Sequence, residues 1–147
     1  MNGNRVLVTR GQGLNVTDII SKGVKEGNDI DAIATRNKNS VCIMIWNYQD
    51  NEIEMPSSRV ELTVDGMITG KVLVNHYRVD RQFSNSFEKW KSMGKPEQVT
   101  DEQHQQLKTA GQLQSYLAAQ RKKTNNGKLI LKFNLPSQAV SLIRMTW

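Results

Sequence analysis

The stretch from His76 to Gly94 constrains the fold most strongly, because its pattern changes from strand to helix within a few residues. Polar and apolar side chains alternate up to Asp80, as they do in a strand with one buried face. After a polar turn, large apolar side chains recur at helical spacing: Phe87, Trp90 and Met93. The chain therefore joins a sheet to a helical insert at this point.

Strand patterns separated by turn residues fill most of the remaining chain. Two of them flank Asn37-Lys38-Asn39 and predict a hairpin, and the second, Val41–Trp46, is apolar on both faces. We expect that strand at the centre of a sheet and covered on both sides. Further strands are expected in these ranges: 5–9, 59–64, 71–80, 128–135 and 139–147. This order predicts a mainly β fold, an antiparallel β-sandwich.

The helical insert is expected to span about residues 84–121. Its first helix is short. Thr100 and Gln103 match the Ser/Thr-x-x-Glu/Gln pattern of a capping box, and a second helix starting there is predicted to reach about Gln120. The apolar stripe of this helix is Leu107, Ala110, Leu113 and Leu117. The sequence thus predicts a single domain over residues 1–147, with a small two-helix insertion before the last two strands.

Composition is that of a soluble globular domain, with 37% hydrophobic and 23% charged residues. No apolar run approaches the ~18–20 residues that cross a bilayer, and the first residues lack the apolar core of a signal peptide. These features do not assign the protein to a cellular compartment. The single cysteine, Cys42, excludes an internal disulfide, and it does not lie at metal-ligand spacing from His76 or His104. We expect neither a metal site nor a cofactor.

The net charge of +6 is unevenly distributed. Every acidic side chain lies at or before Glu102, whereas seven basic residues follow it. A basic patch can bind nucleic acid, but Arg121-Lys122-Lys123 falls where the predicted helix would end, and cations are favoured there by the helix dipole. Because no aromatic residues alternate with these charges to stack on bases, we expect no nucleic-acid partner.

An ordered series of motifs runs through most of the chain. In chain order it comprises Asp31-Ala32-Ile33-Ala34-Thr35, Ile45-Trp46-Asn47-Tyr48, His76-Tyr77-Arg78-Val79-Asp80, Ser84-Asn85-Ser86-Phe87, Trp90, Met93-Gly94, Pro96, Thr100, Glu102-Gln103, Leu107, Ala110-Gly111-Gln112-Leu113 and Ala139-Val140-Ser141-Leu142. Together these motifs resemble the C-terminal region of glycoside hydrolase family 39, which holds β-xylosidases and the related α-L-iduronidases. The resemblance extends from about Arg5 to Trp147.

The resemblance implies a β-sandwich that accompanies a (β/α)8 barrel, with a small helical element beside it. The catalytic glutamates of the family belong to the barrel, and neither of their motifs occurs here, so no catalytic residue is carried over. Retaining hydrolysis needs two carboxyl groups about 5–5.5 Å apart, and 147 residues cannot also hold a barrel of about 250. This chain alone is therefore expected not to be an enzyme, although its parent protein would be a β-xylosidase-like glycosidase.

Two functions remain open for such a domain. The first is a non-catalytic accessory domain that packs on and supports the missing barrel, whether the barrel is in the same chain or a separate one. An exposed apolar face would favour such a partner or self-association. The second is a stand-alone carbohydrate-binding module for xylan-type glycans, in which sugars would stack on exposed aromatic residues: Trp46, Tyr48, Tyr77 or Trp90.

Three polar residues of the central stretch form the other candidate site. His76, Arg78 and Asp80 alternate onto one face of their strand, so their side chains lie within reach of one another. They could contact the barrel or its sugar, or they could fasten the sheet to the helical insert. The second interpretation is favoured, since an adjacent arginine and aspartate readily form a structural ion pair.

Overall fold

The structure of the chain is a computed structural model, and it describes residues 3–9, 13–25, 27–51, 55–68 and 70–147. Within these ranges the chain forms eight strands and three helices. The strands are β1 (Asn4–Arg5), β2 (Asp29–Asn37), β3 (Ser40–Tyr48), β4 (Ser58–Val64), β5 (Lys71–Val79), β6 (Gln114–Lys123), β7 (Leu129–Leu135) and β8 (Ala139–Thr146). The helices are α1 (Val16–Lys22), α2 (Ser86–Ser92) and α3 (Asp101–Ala110).

The strands form a six-stranded sheet in the order β1-β2-β3-β8-β5-β6 and a two-stranded sheet of β4 and β7. All the pairs are antiparallel. The predicted mainly β, antiparallel sandwich is therefore confirmed. No described helix is long and apolar enough to cross a bilayer.

The predicted hairpin is also confirmed, because β2 and β3 pair from Asp29↔Tyr48 to Asn37↔Ser40. Strand β3 lies inside the sheet, between β2 and β8, as its apolar run predicted. The expectation that it is covered on both sides is wrong. Val41, Ile43 and Ile45 are buried, whereas the residues between them are only half-buried, because in the described part of the chain only one face of this sheet packs against another sheet.

The core lies between the two sheets. Strands β3, β5 and β8 each bury every second side chain there, and β7 buries Leu129, Leu131 and Leu135 against them. Ile143 and Met145 have no exposed surface. Since full burial of such a side chain contributes roughly 1.5–3 kcal/mol, this inner face of the large sheet carries most of the packing energy.

The two-helix insert begins as predicted. The Asn85 side chain accepts a hydrogen bond from the Glu88 amide at 3.0 Å and caps α2. The capping box of α3 is present, with Thr100 and Gln103 each accepting a hydrogen bond from the other's backbone amide. These bonds satisfy amides that a helix start leaves without partners.

The predicted end of the insert is wrong. Helix α3 stops at Ala110, and Gly111 caps it. Residues 114–123, expected as helix up to about Gln120, form strand β6 along the open edge of β5. The insert therefore ends near residue 110 rather than 121, and three strands follow it. Pairing with β5 supplies backbone hydrogen bonds that the sequence pattern could not reveal.

The N-terminal expectations are met in part. The strand predicted over residues 5–9 is limited to Asn4–Arg5. Of the following Gly11-Gln12-Gly13 turn, only Gly13 lies within the described residues.

Candidate functional site

A buried polar cluster occupies the inner face of the large sheet where β5 ends. It comprises His76, Arg78, Asp80, Tyr116, Phe133 and Ser141. The first three are the residues that the strand pattern brought together. All three are buried, and Arg78 is only 1% exposed.

Arg78 connects the two sheets. Its guanidinium lies 3.5 Å from the Asp80 carboxylate and donates a hydrogen bond of 3.1 Å to the Asn134 carbonyl on β7. The Tyr116 ring covers it, with 4.1 Å from the guanidinium carbon to the ring centroid. Burial lowers the pKa of Arg78, whereas Tyr116 and Asp80 raise it. A buried arginine that is held in this way is paired rather than free to meet a ligand.

A β-bulge places Tyr116 over Arg78. In the pairing of β5 with β6, His76 lies opposite Leu117 and Tyr77 lies opposite Ser115, which leaves Tyr116 with no partner residue. Bulges of this kind re-aim a side chain and increase the local twist. No sequence pattern indicates this role, because Tyr116 lies inside the segment that the apolar stripe predicts as helix.

Asp80 joins the cluster to the insert. One carboxylate oxygen accepts hydrogen bonds from the backbone amides of Gln82 and Phe83, at 2.7 and 2.9 Å. Its carbonyl accepts a hydrogen bond from the Asn85 side chain, the N-cap of α2, at 2.8 Å. The carboxylate therefore shapes the turn that leads from the sheet into the helices.

Ser84 links the start of the insert to strands β5 and β6. Its hydroxyl donates a hydrogen bond of 2.7 Å to the carbonyl of Arg78 and accepts one of 2.8 Å from the amide of Gln114. The residue that precedes the insert and the one that follows it are thus tied to the same strand.

His76 lies deeper between the sheets. Its Nε2 is 2.9 Å from the Ser141 hydroxyl on β8, and its ring meets those of Tyr116 and Phe133 edge-on at 5.0 and 4.8 Å. Burial, together with the positive charge of Arg78, lowers the pKa of His76 to about 4. The imidazole is therefore neutral at physiological pH.

The geometry of the cluster favours the fastening role. Its side chains bond to strands β7 and β8 and to the turn that leads into the helical insert. The carbonyls of Arg78 and Asp80 accept hydrogen bonds from Ser84 and Asn85 at the start of the insert, and the three predicted residues are buried. The role of His76, Arg78 and Asp80 in contacting a barrel or a sugar stays a prediction.

The opposite face of the large sheet, here called the outer face, is half-exposed and apolar over much of its area. Side chains stand in register across four strands: Ile33, Met44, Leu142 and Tyr77 in one row, and Asp31, Trp46, Val140 and Val79 in the next. Tyr48 follows Trp46 on β3 and is 46% exposed. Three of the four predicted aromatic residues, Trp46, Tyr48 and Tyr77, therefore share this face.

One end of the outer face is cationic. Four exposed side chains on β5, β6 and β8 lie there, here called the basic corner: Lys71, Arg121, Lys123 and Arg144. Lys71 lies directly opposite Lys123 in the strand pairing. The expected position of Arg121–Lys123 at a helix end is thus wrong, because these residues lie on an edge strand.

Trp90 lies on α2, in the helical insert. Its indole N–H donates a hydrogen bond of 3.0 Å to the Pro96 carbonyl, and its ring stacks on that of Phe87. Phe87 is 59% exposed. The structure therefore does not bring Trp90 together with Trp46 and Tyr48. Among the described residues, no group of three or more His, Cys, Asp or Glu side chains is placed to hold a metal ion.

Comparison with known proteins identifies the family. The family model for glycosyl hydrolases family 39 matches residues 13–129. The chain belongs to glycosyl hydrolase family 39. The resemblance seen in the motifs is therefore confirmed, whereas no curated protein sequence matches the chain.

Solved structures of family 39 enzymes share the fold. A family 39 enzyme from Xanthomonas axonopodis pv. citri superposes with a TM-score of 0.67 at 14% identity, over 78% of this chain and 25% of its own. A monomeric β-xylosidase from Caulobacter crescentus gives 0.61 at 20% identity, over 78% and 26%. A bacterial orthologue of human α-L-iduronidase gives 0.66 at 17% identity, over 81% and 22%.

The shared fold accounts for only part of each relative. This family 39 chain spans about a quarter of the length of the enzymes it matches. That proportion is consistent with the C-terminal β-sandwich region that the motifs indicated.

Proposed function

We propose that this chain is a non-catalytic accessory domain of a family 39-like glycoside hydrolase and that it packs on and supports a catalytic (β/α)8 barrel. The observation that carries the proposal is the match to a family of glycosidases over only a quarter of their length. The barrel would be supplied by the same polypeptide or by a separate chain, and the parent protein would be β-xylosidase-like.

The placement of the buried carboxylates supports a non-catalytic role. Among the described residues, the buried acids are Asp29 and Asp80. Asp29 begins β2 and Asp80 follows β5, and three strand spacings of about 4.8 Å separate these strands, or roughly 14 Å. Retaining hydrolysis needs about 5–5.5 Å. Each of the two also accepts hydrogen bonds from backbone amides, of Leu14 for Asp29 and of Gln82 and Phe83 for Asp80.

A test in trans uses the full chain with the Caulobacter β-xylosidase from which the matching region has been removed. We expect the chain to bind this truncated enzyme and to raise its melting temperature, and we expect the chain alone to leave an aryl-xyloside unhydrolysed. The excised region of the Caulobacter enzyme, added back as a separate chain, is the positive control. Hydrolysis by the isolated chain at an enzyme-like rate would contradict the proposal.

A second candidate function is supported by the outer face. Trp46 and Tyr48 lie two residues apart on β3, where a sugar ring could stack on them. A stand-alone module for xylan-type glycans should give saturable heats with xylo-oligosaccharides in calorimetry, and the Trp46→Ala variant should lose them. Absence of heat at millimolar sugar rejects this alternative.

A further inference from the structure

One end of the sandwich gathers the excess positive charge of the protein. Strands of both sheets end there, because Asn37↔Ser40 closes the β2–β3 hairpin and Arg36 donates a hydrogen bond of 3.1 Å to the Gly66 carbonyl just beyond β4. The last three residues of each strand at this end, with the turns between them, are here called the hairpin end. Among the described residues, its acidic side chain is Asp65 and its nine basic side chains are Arg5, Arg36, Lys38, Lys71, Arg121, Lys122, Lys123, Lys128 and Arg144.

This distribution makes the protein electrostatically polar. The sequence has 20 basic and 14 acidic residues, so 11 basic and 13 acidic residues remain outside the hairpin end. Neighbouring strands lie about 4.8 Å apart, which is shorter than the screening length of about 8 Å at physiological salt. The cations of adjacent strands therefore act together on a ligand.

Most of these cations lack an anionic partner within the protein. Lys128 lies 3.3 Å from Asp65 in an exposed pair, which contributes little to stability. Within the described ranges, the other eight form no ion pair. Lys71 even lies directly opposite Lys123, an unfavourable arrangement between paired strands. An anionic ligand would relieve this repulsion, and both lysines are exposed to meet it.

The spread of the cations suits an extended polymer rather than a small anion. They lie on β1, β2, β5, β6 and β8 and in the adjoining turns. The six strands of the large sheet are separated by five spacings of about 4.8 Å, so this edge is about 24 Å wide. A small anion would contact the cations of one or two strands, whereas a chain of carboxylates would contact cations across the whole width.

The surroundings favour a glycan over a nucleic acid. Trp147, the tryptophan at this end, packs against the hydrophobic core, and the Arg36 guanidinium lies 5.8 Å from the centre of its ring. It is therefore not presented as a platform on which an unpaired base would stack. The chain also belongs to a family of glycosyl hydrolases, so a polysaccharide is the polymer that its parent protein would meet.

We propose that the hairpin end binds an acidic polysaccharide, a glycan chain that carries uronic acid carboxylates, through its lysine and arginine side chains. This activity goes beyond support of a barrel. It does not depend on the outer face, because Arg36, Lys38, Lys122 and Lys128 lie at strand ends or in turns. In the proposed parent enzyme, the contact would hold the catalytic barrel on a charged polymer.

The experiment measures binding of the full chain to glucuronoxylan by titration calorimetry. The matched ligand is the same polymer after its carboxyl groups have been reduced to alcohols, and polygalacturonate is a second acidic probe. Lys38→Glu with Lys123→Glu reverses two exposed charges of the hairpin end. Lys25→Glu with Lys108→Glu makes the same change in net charge elsewhere, since Lys25 lies beside Asn51 at the other end of β3 and Lys108 lies on α3. Unfolding midpoints establish that each variant is folded, and the comparison of polymers needs no variant.

We expect saturable heats with an acidic polymer and binding at least about tenfold weaker once its carboxylates are reduced. Raising NaCl from about 50 mM to about 200 mM should weaken binding by about tenfold, because salt screens the charges. The reversed hairpin end should lose about tenfold in affinity. The control pair should stay within about twofold, because its charges lie beyond the screening length from the ligand.

Each contrary result overturns the proposal. Failure of both acidic polymers to bind removes the site. Equal binding of native and reduced glucuronoxylan would assign recognition to neutral sugar, and equal binding by the two double variants would place the site elsewhere. Tighter binding of a DNA duplex or of phosphatidylglycerol vesicles at the same salt would make the class of polymer wrong. The accessory role stands or falls separately, by binding to the truncated Caulobacter enzyme.

Discussion

The neutral His76 makes the stability of this domain depend on pH in a way that can be calculated. In the folded chain, burial and the charge of Arg78 hold the pKa of His76 at about 4, against the ordinary value of 6.5. As the pH falls below 6.5, the unfolded chain takes up a proton at His76 that the folded chain does not. Stability from this residue is therefore complete above pH 6.5 and is lost progressively as the pH falls towards 4.

The magnitude follows from the two pKa values. One pKa unit corresponds to 1.36 kcal/mol of free energy. The difference between the two pKa values of His76 therefore corresponds to a loss of about 3 kcal/mol in the free energy of unfolding. Between pH 7 and pH 5 alone, the expected loss is about 2 kcal/mol. That interval lies above the ordinary pKa range of carboxyl groups, which reduces their contribution to the change.

The assay is urea unfolding at pH 7 and pH 5, followed by tryptophan fluorescence. We expect His76→Gln, which keeps a polar side chain near Ser141 but cannot take up a proton, to remove about 2 kcal/mol of the pH-dependent loss. His104→Gln is the matched control, because His104 is the other histidine and lies exposed on α3. If His76→Gln loses as much stability as the wild type between the two pH values, the reasoning is refuted. Proton resonances of the His76 ring test the same point without a substitution, since they should titrate near pH 4.

Three further predictions concern the fold. Arg78→Met should lower the free energy of unfolding by about 3–5 kcal/mol, because it leaves the buried Asp80 without its cation. The control Arg59→Met, at an exposed position, should change it by less than about 0.5 kcal/mol. A small loss for Arg78→Met in urea unfolding would contradict the fastening role. Thr100→Ala should cost about 1 kcal/mol and speed amide exchange in α3, because it removes the capping box; unchanged exchange would count against it. Ala118→Thr should leave stability unchanged or raise it by up to about 1 kcal/mol, since β-branched residues suit a strand; a loss in chemical denaturation would favour helix there.

Local patterns determined much of this fold. The alternation in β4 and β7, the Asn/Lys turn between β2 and β3, and the capping box of α3 each involve residues a few positions apart. Such signals remain readable because the interactions they report form within a single strand, turn or helix end. The motif series likewise identified the family correctly, although no single motif in it would have been sufficient.

The error at β6 has a different origin. Leu107, Ala110, Leu113 and Leu117 lie at helical spacing, but Leu113 and Leu117 are four positions apart. This even spacing is also compatible with one face of a strand. Gly111 ended the helix, and the open edge of β5 then provided a hydrogen-bonding partner for residues 114–123. An edge that lies some 40 residues away along the chain cannot be seen in a local pattern.

By itself, the sequence determined that His76, Arg78 and Asp80 share a face and that β3 is central, because side chains alternate with a period of two. Only the tertiary structure decided which face is which. These three polar side chains lie on the inner face, where a bulge brings Tyr116 over Arg78. Met44 and Leu142 lie on the other face, which no described element covers. Alternation separates two faces of a strand, but the second layer that buries one of them comes from distant residues.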